Sequence, residues 1–455
     1  MNENKNLEKA DKNYIWHPFT QMQDWAHEQP VIISEGEGSY LKDIRGKEYI
    51  DGVSSIWVNI FGHRKKEIND AISEQLGHIA HSTLLGLTNI PAIQLAERLV
   101  GILRSSFSMH SSLLNKVFYS DNGSTSVEVA LKMAFQYWKH KSVEGKHTFL
   151  SLENAYHGDT LGAVSVGGID MFHKTFEPIL FKTYRAPSPY CYRCSSDMDY
   201  PECGHACIQK MEEILQQHHT EIAGVIIEPL IQAAGGMIVA PQGYLARVRE
   251  LCNAYNVLLI ADEVATGFGR TGRMFACEHE NVLPDIICLS KGITGGYMPL
   301  AATVAREEIY NAFLGSFREL KTFFHGHSYT GNPLACAAAC ACLDLFEKEK
   351  ILHNIQQKIA IFETRLREMG ELSHVGNVRN CGLMAGVELV KDRGTKTPYE
   401  WEQKMGWNVT HHARDNGVFI RPLGNVIVIM PPLSISTETL DTMLKTIYNA
   451  ICAVT

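Results

Sequence analysis

The chain has 455 residues, 45% of them hydrophobic and 20% charged, with a formal net charge of -8. This length exceeds one small core and points to a globular protein of two or three domains, and the charge gives no reason to expect nucleic acid or an anionic membrane as a partner. No stretch approaches the roughly 18 uninterrupted apolar residues that a membrane-spanning helix needs.

In chain order, the polar start MNENKNLEKADKN lacks the apolar core of a secretory signal and reads as a frayed end, so a cytoplasmic protein is expected. Residues 31–52 read as short strands joined by the turns EGEG and RGKE, and segments 65–80 and 91–103 carry helical spacing of apolar residues. From about residue 117 the pattern becomes strand, glycine, helix: VFYS, the turn DNGS, then the amphipathic STSVEVALKMAFQYWKHK. The alternation recurs at TFLSLENAYHGDT, AGVIIEPL, NVLLIADEV, DIICLSKG and PLAATVA, which predicts a mainly parallel α/β sheet. The Ala/Cys-rich segment 332–350 reads as one helix leading away from that sheet. Beyond it, VRNCGLMAGVELV, GVFIRPLG and NVIVIMPPL predict a smaller α+β domain. The division expected is residues 1–60 packing with the small domain, 61–335 as the large domain and 336–455 as the small domain.

Two apolar runs stop abruptly at a charged residue followed by glycines. LLIADEVATGFGRTG ends its run at Asp262, and DIICLSKGITGG ends its run at Lys291. Buried parallel strands deliver functional groups at their carboxyl ends in this way. An acid after four apolar residues needs a cationic or hydrogen-bonding partner, and the N–H of a pyridinium ring supplies one. A lysine able to form a Schiff base, facing such an acid, is the minimal kit for pyridoxal 5′-phosphate chemistry. A phosphate needs backbone donors at a helix start, and Asp121-Asn122-Gly123-Ser124 precedes the helix at about 125–140. The same four residues also suit an ordinary helix cap. Tyr156 follows another strand, where it stacks on a ligand ring or simply joins the core. GFGRTG at 267–272 fits a dinucleotide fingerprint, but no long amphipathic helix follows it, so a Rossmann site is rejected.

DEVATGFGRTG and SKGITGG, with GSTSVEVALKMA upstream and YTGNPLACAAA downstream, resemble the class III aminotransferases of pyridoxal-phosphate fold type I. The likeness runs from about residue 14 to 435. It implies a large domain on a mainly parallel seven-stranded sheet plus a smaller α+β domain. IWHPFTQM, DGVSSIWVNIFGH, AHSTLLGLTNIPA and FIRPLGNVIVIMPPL are similar to the branch that converts 8-amino-7-oxononanoate to 7,8-diaminononanoate in biotin synthesis. The resemblance implies that Lys291 carries the cofactor and moves protons, that Asp262 pairs with the ring nitrogen, and that Val264 and Tyr156 cover the two ring faces. Gly123 and Ser124 would bind phosphate, joined by Ser328 from a neighbouring subunit, with Gly326 beside the substrate; this makes a homodimer with shared active sites. Arg421 would hold the substrate carboxylate through its planar fork, although an arginine after a strand is also a common surface residue. Trp57 would line the pocket for the methylene chain, or belong to the core.

Other readings stay open. Relatives that use S-adenosylmethionine carry two tryptophans near 55, a tyrosine at the place of Phe19 and another at the place of Val428. Ser55-Ile56-Trp57, Phe19 and Val428 therefore favour L-lysine as donor. A class III transaminase of ω-amino acids or diamines is the alternative activity. Twelve cysteines without an export signal are expected to be reduced thiols. Cys191, Cys194, Cys203 and Cys207 have a C-x2-C-x8-C-x3-C spacing that tetrahedral zinc could use, but no metal site is assigned. His325 and His327 lack acidic sequence neighbours and are not assigned as ligands.

Overall fold

Seven strands form the central sheet, in the order Leu114–Ser120, Ala301–Arg306, Ile286–Leu289, Leu258–Asp262, Ile222–Ile227, Thr148–Leu152 and Tyr184–Ala186. The structure is a computed structural model that describes residues 2–107 and 114–455. From Ile286–Leu289 to Tyr184–Ala186 the strands run parallel, whereas Ala301–Arg306 is antiparallel to both of its neighbours. Every residue of Ile222–Ile227, Leu258–Asp262 and Ile286–Leu289 is buried. Helices cover both faces, so these strands have no solvent side, and their sequences are continuous apolar runs.

The two departures from the sequence reading lie toward the sheet edges. Only a short 3-10 turn, Lys291–Thr294, lies between Ile286–Leu289 and Ala301–Arg306. Without a crossover helix the chain returns as an antiparallel neighbour. Tyr184–Ala186 is a three-residue edge strand too short to carry a period.

Helix Gly123–His140 buries Val127, Ala130, Leu131, Ala134 and Trp138 in the cluster on one face of the sheet. A larger cluster on the other face includes Leu95, Leu99, Leu259, Ile287 and Leu289. The Ala/Cys-rich helix is Pro333–Lys348; its buried Ala335, Ala338 and Ala339 let it pack on helices Lys66–His78 and Ile90–Ser106. Beyond it, Val375–Cys381, Met384–Asp392, Val426–Ile429 and Arg421–Leu423 make an antiparallel sheet. The strands Ile33–Glu37, Tyr40–Asp43 and Glu48–Asp51 join this part of the molecule through Val418–Phe419, which runs parallel to Glu48–Asp51. The polar start is helix Asn2–Tyr14, not a frayed end. Its Lys, Glu, Ala and Leu residues favour helix, and Asn4 Nδ2 donates to Ile44 O at 3.1 Å while Arg45 pairs with Glu8.

Lys146 staples the end of the sheet remote from Asp262 and Lys291. It is 5% exposed, and burial pushes its amine down to about 8. Its Nζ donates to His219 O at 2.9 Å, Ile222 O at 3.1 Å and Asn256 O at 2.7 Å, tying together the segments that enter three adjacent strands. Lys146→Met leaves these carbonyls without a donor and should lower unfolding free energy by on the order of 3 kcal/mol. The urea midpoint is the measurement; an unshifted midpoint would show that the three bonds contribute nothing.

Candidate active site

Asp262 ends its strand level with Cys288 on the neighbouring strand, and Lys291 follows three residues later in a left-handed conformation, φ +47°. The register therefore brings the carboxylate and the amine to the same edge of the sheet. Asp262 is 4% exposed. Its Oδ1 accepts the Val264 N–H at 3.1 Å, and its Oδ2 lies 2.7 Å from His157 Nδ1. Each oxygen keeps a second lone pair for an incoming N–H. His157 is buried, and its Nε2 has no partner among the described residues. Lys291 Nζ stands 4.9 Å from the Trp57 ring centroid. Burial lowers the Lys291 pKa; Asp262 and Glu228 act in the opposite sense, and the buried Arg270 lowers it further. A desolvated amine of this kind is a base rather than a fixed cation.

The groups line one cavity of about 430 Å³ that includes Trp57, Gly123, Ser124, Tyr156, His157, Glu228, Asp262, Val264 and Lys291. Asn122 caps helix Gly123–His140 through Oδ1, which accepts the Thr125 N–H at 3.1 Å, so the cap reading of this turn is correct. The cap does not exclude anion binding, because the first-turn N–H groups of an α-helix have no intrahelical acceptors. A Cβ on Gly123 would stand 2.6 Å from Val264 Cγ1, so only glycine lets these two walls approach. Tyr156 donates its hydroxyl to Asp159 Oδ2 at 2.7 Å, and its ring runs parallel to His173 with centroids 6.3 Å apart. A desolvated amine, a buried carboxylate with free lone pairs and an anion cradle are the donor set that pyridoxal 5′-phosphate requires.

Not every candidate lines the cavity. Gly326 and Ser328 lie outside it and are exposed. Arg421 is also outside the lining, half-buried, and its side chain makes no hydrogen bond or ion pair among the described residues. Burial alone lowers its pKa. Val428, on the strand beside Arg421, packs with Trp57 in one apolar cluster. Phe19 meets Phe172 edge-on at 5.3 Å, and Phe172 meets Tyr156 edge-on at 6.4 Å, so the N-terminal motif reaches the Tyr156 wall.

Sequence reasoning missed three features. His157 is one; its only signal was adjacency to Tyr156. Glu228 is another, although AGVIIEPL ends an apolar run in an acid just as the Asp262 strand does. Glu228 is 7% exposed and accepts the N–H groups of Tyr156 at 3.1 Å and Ala233 at 2.9 Å. The third is strain at Trp57: Ser54, Ser55 and Trp57 have φ of +52°, +63° and +68°. Such residues each cost roughly 1–3 kcal/mol and persist where neighbours over-determine them. Here Asp51 accepts the Ser55 N–H at 2.8 and 2.9 Å, and Ser54 Oγ donates to Met430 O at 2.7 Å.

The cysteines Cys191, Cys194, Cys203 and Cys207 are free thiols, and burial pushes Cys207 up to about 11. Among the described residues no three His, Cys, Asp or Glu side chains gather as a metal site. The fold supplies His327 with an acid that its sequence neighbours lack: Nδ1 lies 3.4 Å from Asp121 Oδ2.

Residues 21–451 match the family model described as aminotransferase class-III. An adenosylmethionine-8-amino-7-oxononanoate aminotransferase of Geobacter sulfurreducens is 56% identical over 99% of this chain and 98% of its own. The crystal structure of an enzyme of that name from Methanocaldococcus jannaschii superposes with a TM-score of 0.93 at 48% identity, covering 99% of both chains. A pyridoxal-phosphate-bound amine transaminase from an uncultivated Pseudomonas species has a TM-score of 0.91 at 36% identity, covering 97% of this chain and 99% of its own.

Burial raises the Glu228 pKa from 4.5 to about 7. The folded protein then holds a proton that the unfolded chain releases, so stability should fall as pH rises between these values. Glu228→Gln cannot ionise and should flatten that segment of the pH–stability curve of the cofactor-free protein. The slope is the readout; a slope equal to that of the wild type would mean that Glu228 stays ionised.

Proposed function

The chain belongs to the class-III aminotransferase family, and from that membership we propose that it aminates 8-amino-7-oxononanoate to 7,8-diaminononanoate in biotin biosynthesis. It is an aminotransferase of fold type I with pyridoxal 5′-phosphate as its cofactor. The observation that carries the substrate reading is full-length similarity to relatives named for that substrate, in a chain whose Lys291, Asp262 and Tyr156 share one cavity.

The cofactor, when bound, supplies an electron-withdrawing ring and a carrier for the amino group. Lys291 takes the proton from the donor carbon and returns one to the acceptor carbon, a task its desolvated amine suits. Asp262, oriented by His157, would pair with the ring nitrogen and favour its protonated form. Gly123 and Ser124 would hold the phosphate at the helix start, and Val264 and Tyr156 would contact the ring. Arg421 takes the substrate carboxylate, and Trp57 borders the methylene chain.

The enzyme acts as a cytoplasmic homodimer in which Gly326 and Ser328 complete the site of a second copy. Supporting this, Phe317, Phe324, Tyr329, Leu85 and Leu87 are 95%, 72%, 60%, 78% and 64% exposed, an apolar content that marks an interaction surface when contiguous. The functional division remains residues 1–60, 61–335 and 336–455, with Pro333–Lys348 as the link between lobes. The donor is L-lysine or S-adenosylmethionine. Phe19 and Val428 favour lysine, whereas the relatives' names favour adenosylmethionine.

Both half-reactions use one site, so double-reciprocal plots should be parallel; intersecting lines would exclude the scheme. Each donor is tested alone by loss of the cofactor's visible absorbance, and the effective donor is the one that bleaches it. Amination of 8-amino-7-oxononanoate, followed by mass spectrometry, separates this activity from an ω-amino acid or diamine transaminase. Lys291→Ala should lose the visible band and reduce turnover by a factor on the order of 10⁴. Mixing refolded Lys291→Ala with refolded Ser328→Asp should restore activity, because one site of the hybrid keeps both residues; no recovery would argue against shared sites.

A further inference from the structure

The small-domain sheet carries two arginines in a single row. Arg421 pairs with Val428, Val428 with Gly386, and Gly386 with Arg379 across the four strands. Residues paired across strands point to the same face. Both side chains therefore leave one face, from backbone positions about 14 Å apart at roughly 4.8 Å per strand.

Their surroundings are opposite. Arg379 is 9% exposed and each of its three nitrogens donates a hydrogen bond. Nε donates to Gly236 O at 2.9 Å and Met237 O at 3.0 Å, and Nη2 donates to Gly236 O at 2.6 Å. Nη1 donates to Asn377 Oδ1 at 3.0 Å and to Glu388 Oε2 at 2.8 Å. Glu388 also accepts Arg193 Nε at 2.6 Å and the Tyr190 hydroxyl. Arg421, at the far end of the row, makes no such bond among the described residues.

What Arg379 grips is a hairpin of the large domain, Ile231–Gln232 with Ile238–Val239. Gly386 lets it lie directly on the sheet, since a Cβ there would stand 2.9 Å from Met237 Cβ and 3.1 Å from Gly236 O. Met237 at the tip has φ +56°, a conformation that needs holding. The other end of the hairpin lies behind the cavity wall, against residues that line it. Ala233 N donates to Glu228 at 2.9 Å, and Ile231, Ala233 and Met237 pack with Trp57 and Val428.

We propose that Arg379 is a positioning residue for substrate binding: seated over Gly386, it locks the hairpin that backs Glu228 and Trp57 to the small-domain sheet and thereby fixes the reach between Arg421 and Lys291. The inference rests on the reading of Arg421 as the carboxylate anchor. A chain-like substrate held at one end and reacting at the other is sensitive to that span, because it keeps its reactive end in place after a shift only by giving up part of the contact with Arg421, which weakens binding.

The test is steady-state kinetics of the Arg379→Met holoenzyme at saturating donor, with 8-amino-7-oxononanoate and with its methyl ester, which has no anion for Arg421. The expected result is a KM for the acid raised about tenfold, an unchanged KM for the ester and kcat within about twofold of wild type. Arg379→Lys should recover part of the loss. In an Arg421→Ala background, Arg379→Met should add no further rise, since the two act on one contact. Glu388→Gln is the second variant should Arg379→Met fail to fold, with the same acid-selective direction. An equal rise for acid and ester, or no rise for the acid, would overturn the positioning role. Arg421→Ala with an unchanged KM for the acid would instead overturn the carboxylate reading itself, a failure visible without any change at Arg379.

Discussion

Strands Leu258–Asp262 and Ile286–Leu289 pair in parallel with Asp262 level with Cys288, and the chemistry depends on that register. A slip of one residue would turn the Asp262 side chain to the other face of the sheet and separate it from His157. The register is protected by burial: each of these strands is enclosed on both faces, so a slip exchanges packed apolar contacts for cavities and clashes. Past Cys288 the chain needs only Leu289 and Ser290 before turning at Lys291, and Ser290 Oγ anchors the turn to Leu300 O at 2.8 Å. The amine is thereby delivered beside the carboxylate by backbone geometry, with no long side-chain search.

Around that pair the protein solves a problem of buried charge. Asp262 and Glu228 are both nearly inaccessible, and two bare carboxylates so placed would not both stay ionised. The surroundings treat them differently. Asp262 has an imidazole and a backbone N–H as hydrogen-bonding partners. Glu228 has two backbone N–H groups, yet burial dominates and lifts its pKa to about 7. Glu228 is thus arranged so that it can hold a proton. Trp57 closes the far wall from a strained segment that Asp51 and Met430 hold in place, a cost borne where the pocket shape is needed.

The parts of this arrangement visible from the sequence were those with a local signal. Asp262 and Lys291 each end a long apolar run, and a residue in that position has few structural reasons to be charged. Gly123 and Ser124 open a helix whose period is plain. The features that stayed hidden are defined by partners distant in the chain. His157 acquires meaning only from Asp262, 105 residues away, and Arg379 only from Gly236 and Met237, more than 140 residues away. Ala301–Arg306 has an apolar run like those of the parallel strands in the same sheet; its direction follows from the missing crossover helix. The positive φ values at Ser54, Ser55 and Trp57 leave no trace in residue type, because none of the three is glycine.

The central claim is that Asp262 acts on the cofactor ring while Lys291 holds and deprotonates, so the two roles can be separated. Asp262→Asn keeps the size of the side chain and removes its charge. The direct measurement is the single-turnover rate of the first half-reaction in that variant, together with the mass of the borohydride-reduced Lys291 peptide. The expected result is a peptide that still carries the cofactor and a rate reduced by a factor on the order of 10³ or more, reflecting loss of electrostatic stabilisation at the ring. A rate equal to wild type with the cofactor attached would contradict the assignment.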